Sequence, residues 1–376
     1  MMHNGGIVDM KLRVQYVSEN EITLDDGSKL TTKEFETGKI WSDTVIVNET
    51  EFKQANRNKR YNKEELEALA QSMQMQYEHG IHYKVDGEDA LVILGLGEGA
   101  KCNVSRVWSK ELSALTGKIT VLGKANNTLK FESYKAKEID ITGIDASSMV
   151  SMSGMFMGVK NAHCVDLRGI DTSNVSDMSM MFCNTLINNI LLEGIDTSKV
   201  IDMCGMFDNC MTRELDLSGL NVSNVINMAS MFEALYAKKL DLSGWSTSRV
   251  QSMKNMFKFS RIDNLDVSSL SFEKVVTTEA MFMKAIVDKI IISNKNADKI
   301  TYAPSMFSMC EAEILDISWM SLEGLVDASM MIFRARIGTL NLTGLYISKK
   351  ADINSFLNDC KIETLYDVNG QRVFMQ

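Results

Sequence analysis

The chain has 376 residues, 45% of them apolar and 24% charged, which is the composition of a folded protein and excludes general disorder. One proline in the whole chain, Pro304, excludes Pro-rich linkers, and a formal net charge of -9 argues against a bulk binder of nucleic acid. The first thirty residues hold no apolar run of the signal-peptide kind, and no stretch approaches the ~18 apolar residues of a membrane span. The expectation is a cytoplasmic protein whose 7 cysteines, an odd number, are free thiols.

In chain order, "LRVQYVSENEITLDDGSKLTT" alternates apolar and polar residues and turns on Asp26-Gly27, the pattern of a hairpin. Arg57, Lys59, Arg60 and Lys63 in "RNKRYNK" form a basic cluster around Tyr61. It reads either as a solvated helix entry or as a contact for an acidic partner or nucleic acid. Asn62 followed by Glu65 predicts a capping box and a helix through "KEELEALAQS". "DALVILGLGEG" and "GKITVLGK" read as strands. "GLGEGAK" lacks the spacing of a phosphate loop, and His79 and His82 have no third metal ligand near them in sequence. Residues 1–137 are expected to be a small α+β domain that caps the rest of the chain.

From residue 138 to 376 the chain repeats. Met155-Phe156, Met181-Phe182, Met206-Phe207, Met231-Phe232, Met256-Phe257, Met281-Phe282 and Met306-Phe307 recur, the first step being 26 residues and the others 25. A short apolar-x-apolar unit keeps the same period, opening at Ile139, Val165, Ile190, Leu215, Leu240, Leu265, Ile290, Leu315, Leu340 and Leu365. Such alternation suits a short strand with one buried face. Glycine often comes next, and then a column of Ser147, Ser173, Ser198, Ser223 and Ser248 that reads as helix caps. Behind the caps stand apolar residues at helical spacing, as in Val200, Met203, Met206 and Phe207. Each repeat is therefore expected to run strand, turn, capped short helix and return loop. Nine to ten such units make an α/β solenoid with one continuous core. The methionines are assigned to that core, and Cys210, Cys310 and Cys360 to a small buried slot shared with Val159, Thr185, Ala285 and Ala335.

An aspartate recurs in the middle of the strand unit, at Asp140, Asp166, Asp216, Asp241, Asp266 and Asp316. Neighbouring strands would place these carboxylates ~4.8 Å apart, so donors from the Ser or Thr two positions on are expected to hold them. The exceptions carry more information. Leu191, Ile291 and Tyr366 make the position apolar, Asn341 neutralises it, Arg168 replaces the following Ser, and Trp319 stands where glycine is usual. Apolar and aromatic groups on a polar open face are the material of an interface, so this column is the candidate binding face.

The motif also resembles the BspA-like leucine-rich repeat family, whose pattern "LDLSxxDTSxVxxMxxMFxxCxxL" is met by "LDLSGLNVSNVINMASMF" (215–232), "LDLSGWSTSRVQSMKNMF" (240–257) and "VDLRGIDTSNVSDMSMMF" (165–182). The resemblance covers about residues 138–370. It implies a leucine-rich-repeat-like solenoid used for binding, typically on bacterial surfaces.

No nucleophile–base pair, metal set or cofactor motif emerges, so no catalytic residue and no cofactor is assigned. Residues 1–137 carry 19 Lys+Arg and 20 Asp+Glu, leaving 21 and 29 for the repeats, a net of -8. Direct binding of nucleic acid by so acidic a solenoid is not expected. The expected function is a non-enzymatic protein-binding scaffold acting inside the cell, of the kind a phage or mobile element would use. Its partner would be a host defence or nucleic-acid-handling enzyme, which it would inhibit, with no membrane involved. The alternatives are a surface adhesin or antigen of the BspA-like type, and a nucleotide- or nucleic-acid-binding activity in residues 1–137.

Overall fold

The computed structural model describes residues 14–17, 21–24, 29–31, 61–78, 81–96, 112–127, 129–131, 134–212, 215–293 and 295–373. Strands β1 (Val14–Val17), β2 (Glu21–Leu24) and β3 (Lys29–Thr31) pair antiparallel in sequence order, as the alternation predicts. Helix α1 (Lys63–Ser72) begins at the expected box: Asn62 Oδ1 accepts the Glu65 N–H at 2.9 Å and Glu65 Oε2 accepts the Asn62 N–H at 2.8 Å.

The expected separate α+β domain is not supported among the described residues: α1 packs Leu66 and Ala70 on Ile93, Leu96 and Leu122, but the strands beneath it belong to the repeat stack. Strands β4 (Gln76–Glu78), β5 (Ile81–Asp86), β6 (Asp89–Leu94), β7 (Lys118–Lys124), β8 (Glu138–Asp145), β9 (Lys160–Asp166) and β10 (Leu186–Leu191) make one seven-stranded sheet in that order. The first two pairings are antiparallel and the rest are parallel, so β6 and β7 already run in the sense of the repeats. The cause is a shared buried face. Ile119 and Val121 of β7 enter the same core as Ile139 and Val165, and that core runs without a break from Ile81 to Ile362.

A second seven-stranded sheet continues the stack with β11 (Tyr236–Asp241), β12 (Arg261–Asp266), β13 (Ile286–Ile291), β14 (Glu311–Asp316), β16 (Arg336–Asn341) and β18 (Lys361–Tyr366), all parallel. The short β15 (Ser321–Leu322) and β17 (Tyr346–Ile347) form a side ladder, and β19 (Arg372–Val373) closes the edge antiparallel to β18. Between the two sheets the chain is carried by single bridges, Leu186 to Met211 and Met211 to Tyr236. A further column of bridges joins Ser151, Asp177, Asp202, Asn227, Ser252, Thr277, Tyr302, Asp327 and Asp352 on another side. The repeats thus form a β-solenoid of about ten turns.

The short helix of each repeat is absent. A helix would send each N–H to the carbonyl four residues back. Instead, alternate N–H groups reach the next turn of the solenoid: Met203 to Asn227 O at 3.0 Å, Gly205 to Ala229 O at 2.9 Å, Phe207 to Met231 O at 2.9 Å and Asn209 to Glu233 O at 2.7 Å. Those in between close tight turns, Met206 to Met203 O at 3.2 Å and Cys210 to Phe207 O at 3.2 Å. Gly205 and Asn209 sit at φ 62° and 50°, and the equivalent residues of the other turns share this left-handed conformation, which no α-helix tolerates in series. Chained tight turns bring residues three and four apart to one side, which is why the pattern imitates helical spacing.

The serine column does not cap helices either. Ser173, Ser198 and Ser223 donate their own N–H to Asp171, Asp196 and Asn221 at 3.1, 2.8 and 3.0 Å, so it is the residue two positions earlier that fastens the corner.

The core assignment of the methionines holds: Met155, Met181, Met206, Met231, Met256, Met281, Met306 and Met331 are fully buried. Beside them the phenylalanines stack through the molecule, Phe131, Phe156, Phe182, Phe207, Phe232, Phe257, Phe282 and Phe307. Successive rings are near parallel, with centroids between 5.1 Å and 5.9 Å apart. Among the described residues no helix is long and apolar enough to cross a membrane, and no group of three or more His, Cys, Asp or Glu is placed to hold a metal ion.

The six described cysteines are free thiols. Burial pushes Cys210 up to about 11 and Cys310 up to about 12, from an ordinary thiol value of about 8.5. These thiols are protonated at neutral pH and should react slowly with iodoacetamide until the chain unfolds, which mass spectrometry of native and urea-treated protein would read. The same shifts make stability depend on pH. The folded state holds protons that the unfolded state releases, so stability is intact below about pH 8.5 and falls as pH rises toward 11–12. Rapid native alkylation of Cys210 or Cys310 would contradict their burial.

Candidate binding face

The strands place the repeating aspartates in one column. Direct Cα partners run Asp241 to Asp266, then Ile291 to Asp316, Asp316 to Asn341 and Asn341 to Tyr366, with Leu191 beside Asp166 at the other end. The sequence-predicted binding residues of the strands are therefore gathered on one face.

The carboxylates have a local task first. Ser218, Ser243, Ser268 and Ser318 donate their N–H groups to Asp216, Asp241, Asp266 and Asp316 at 2.9, 3.1, 2.8 and 2.9 Å, and Thr343 does the same to Asn341 at 3.1 Å. The donors expected two positions on are present, and the backbone N–H is their common element. The N–H and hydroxyl of Ser218 hold Asp216, and the hydroxyl and N–H of Ser268 hold Asp266, below the usual carboxylate range, and the Ser243 bonds with Lys239 bring Asp241 down to about 2.

Exposure divides the column. Asp140 and Asp166 are buried, the first beside Lys118 at 3.0 Å and the second in a two-pronged pair with Arg168 at 2.8 and 2.6 Å. Arg168 thus serves Asp166. Asp216, Asp241, Asp266 and Ile291 are open to solvent, while Asp316, Asn341, Tyr366 and Leu191 are half-buried. Trp319 is 61% exposed and holds φ 56°, in a corner position where Gly194 and Gly344 have φ 79° and 65°. A bulky residue in this conformation costs on the order of 1–3 kcal/mol. Its ring lies over Gly344 and leaves no room there for a Cβ.

Asp316 offers a clean test of the corner. Asp316→Ala should cost about 0.5–1.5 kcal/mol in urea unfolding, whereas Asp316→Asn keeps the acceptor, as Asn341 does naturally, and should be nearly neutral. Equal losses in both variants would assign the role to charge. The lowered carboxyls add an acid limit: their contribution is complete above about pH 4 and is lost as pH falls toward 2.

A second column on the same strands escaped the sequence reading. Lys160, Leu186, Met211, Tyr236, Arg261 and Ile286 stand side by side at the strand starts. Leu186, Met211, Tyr236 and Ile286 are exposed. Their signal is the period itself, read five residues before the aspartates, where polar and apolar residues mix and no motif marks them.

Elsewhere the sequence candidates fare unevenly. Lys63 is the first residue of α1 and pairs at 3.7 Å with Glu67 on the exposed side of the helix. Arg57, Lys59 and Arg60 lie outside the described residues, as do His79 and all of "GLGEGAK" beyond Leu96. His82 packs against the Tyr77 ring at 4.7 Å, and burial lowers its pKa.

The family described as "Mycoplasma protein of unknown function, DUF285" matches the chain three times, over residues 127–235, 150–270 and 258–364. Neither a curated protein nor a solved structure matches. The matched stretches run together from 127 to 364, well over half of the 376 residues, and fall on the turns just described: the chain belongs to this DUF285 family.

Proposed function

We propose that this solenoid is a non-enzymatic protein-binding scaffold that meets its partner with the outward strand face. The observation that carries the reading is the set of exposed apolar side chains on these strands, Leu186, Met211, Tyr236 and Ile286 in one column and Ile291 in the aspartate column. Trp319, held in a costly backbone conformation with its ring largely in solvent, belongs to the same argument. A stack of parallel strands presents such groups at fixed spacing and so binds with little loss of conformational entropy.

Within this reading we place the scaffold inside the cell, supported by the free state of the six described cysteines. Its acidic repeats, with a net of -8 over residues 138–376, suit a basic partner such as a host enzyme that handles nucleic acid. The BspA-like motif supports a second reading, a surface adhesin.

The test is capture of a partner from host extract by the full chain, followed by affinity measurement with variants. Ile291→Ala and Trp319→Ala should leave the melting temperature within a few degrees and weaken the complex by roughly 1–3 kcal/mol each. Val276→Ala, at an exposed residue next to Thr277 of the other bridge column, should leave the affinity unchanged. If the first two variants bind as tightly as the unaltered chain, the strand face is not the contact.

A further inference from the structure

We infer that the solenoid carries an anion pocket for a small phosphate-bearing molecule, formed by Lys135, Lys137, Lys160 and His163. These residues line a half-open cavity of about 510 Å³, whose wall also includes Thr116 and the buried Tyr134. That volume lies in the range of natural small-ligand sites, about 300–1,000 Å³.

The cavity is built by the first turns of the stack. The Lys137 N–H donates to Thr116 O at 3.3 Å and the His163 N–H to Lys137 O at 2.6 Å, so these three residues sit one above another in successive turns. The Lys160 N–H donates to Tyr134 O at 3.4 Å, which ties the second lysine-bearing segment to the first. Residues 26 or fewer apart in sequence thus become neighbours, although neither "KAK" (135–137) nor "KNAH" (160–163) reads as a site alone.

Charge selects the ligand. Among the described residues no ion pair engages Lys135, Lys137 or Lys160, and the adjacent Glu138 is drawn to Lys118 at 3.2 Å. Three ammonium groups without a described counter-charge therefore meet at one concavity in a chain of net charge -9. Screening limits the reach of distant acids to about 8–10 Å, so the local sign prevails there. A carboxylate would match one of the three charges. A phosphate monoester carries about -1.5 to -2 and three acceptor oxygens, which suits several point-like ammonium donors. His163 adds a ring N–H, and the lysine stems with the Tyr134 ring offer apolar wall to the organic part of the ligand.

Binding would be measured on the full chain by calorimetry with glycerol 3-phosphate and with inorganic phosphate. Vesicles of phosphatidylcholine with and without phosphatidic acid distinguish a free phosphate ester from a lipid headgroup. The expected result is saturable binding of at least one phosphate probe, weakened about tenfold or more by Lys137→Glu with Lys160→Glu. Lys238→Glu with Lys239→Glu, on an exposed strand elsewhere on the solenoid, should leave it unchanged. All four lysines are exposed, and equal melting temperatures would confirm that both variants fold. The inference is overturned if no probe binds saturably, or if the two double variants weaken binding equally. Because the pocket lies apart from Ile291 and Trp319, its failure leaves the scaffold reading standing, and loss of partner affinity at those residues leaves the pocket standing.

Discussion

Met206→Asp should unfold the solenoid or leave it barely folded at room temperature. Met206 is fully buried in the column between Met181 and Met231, and its N–H closes the turn on Met203 O. A carboxylate there loses its hydration inside the hydrophobic core, and a buried unpaired charge costs about 3–5 kcal/mol. Protonation would relieve part of that cost, so the variant should recover stability as pH falls below neutrality, opposite to the behaviour of the surface aspartates. Circular dichroism melts at two pH values would read both effects. A melting temperature equal to that of the unaltered chain would remove Met206 from the core.

Phe232→Ala is the second large effect expected. The ring lies 5.9 Å from Phe207, 5.5 Å from Phe257 and 6.0 Å from Trp245, and it is fully buried. Truncation removes a large apolar side chain and leaves a void whose walls are held apart by inter-turn hydrogen bonds on both sides. A loss of about 3–5 kcal/mol is expected. In a stack where each turn touches only its neighbours, weakening one junction also divides the cooperative unit. Urea unfolding should therefore broaden or split into two transitions, with the turns before and after Phe232 unfolding separately. A single sharp transition with a small shift would show that the rings adjoining Phe232 collapse into the gap.

What the sequence made legible is what a repeat forces into every copy. The period, the strands, the buried Met and Phe columns and the slot of Cys210 and Cys310 all arise from apolar residues that recur once per turn, although Cys360, assigned to the same slot, is only half-buried. The local conformation behind Met203, Met206 and Phe207 was not legible, because tight turns and an α-helix place the same residues on one side. The distinguishing sign was present in Gly205 and Asn209, but the equivalent positions are filled by Met180, Ser230 and Ala280, which hide the left-handed backbone. The N-terminal strands β6 and β7 were read as strands, but their place in the repeat stack was missed for a related reason. From Ile119 to Ile139 the step is 20 residues, so β7 falls outside the period while sharing the core. On the candidate face, the residues that break a column stood out in the sequence. Those brought together only by stacking, such as Tyr236 beside Met211 or Lys137 beside His163, did not.

The hydrogen bonds that run from each turn to the next also bear on heredity. Met203, Gly205, Phe207 and Asn209 find their acceptors one repeat later, and the residues that fill those places differ from turn to turn while the backbone does not. A recombination event that removed or duplicated one period, in register, would rejoin every column and leave no loose end inside the stack. The length of the protein is thus a variable that can change in a single genetic step, extending or shortening the exposed surface by one strand spacing, about 4.8 Å, at a time.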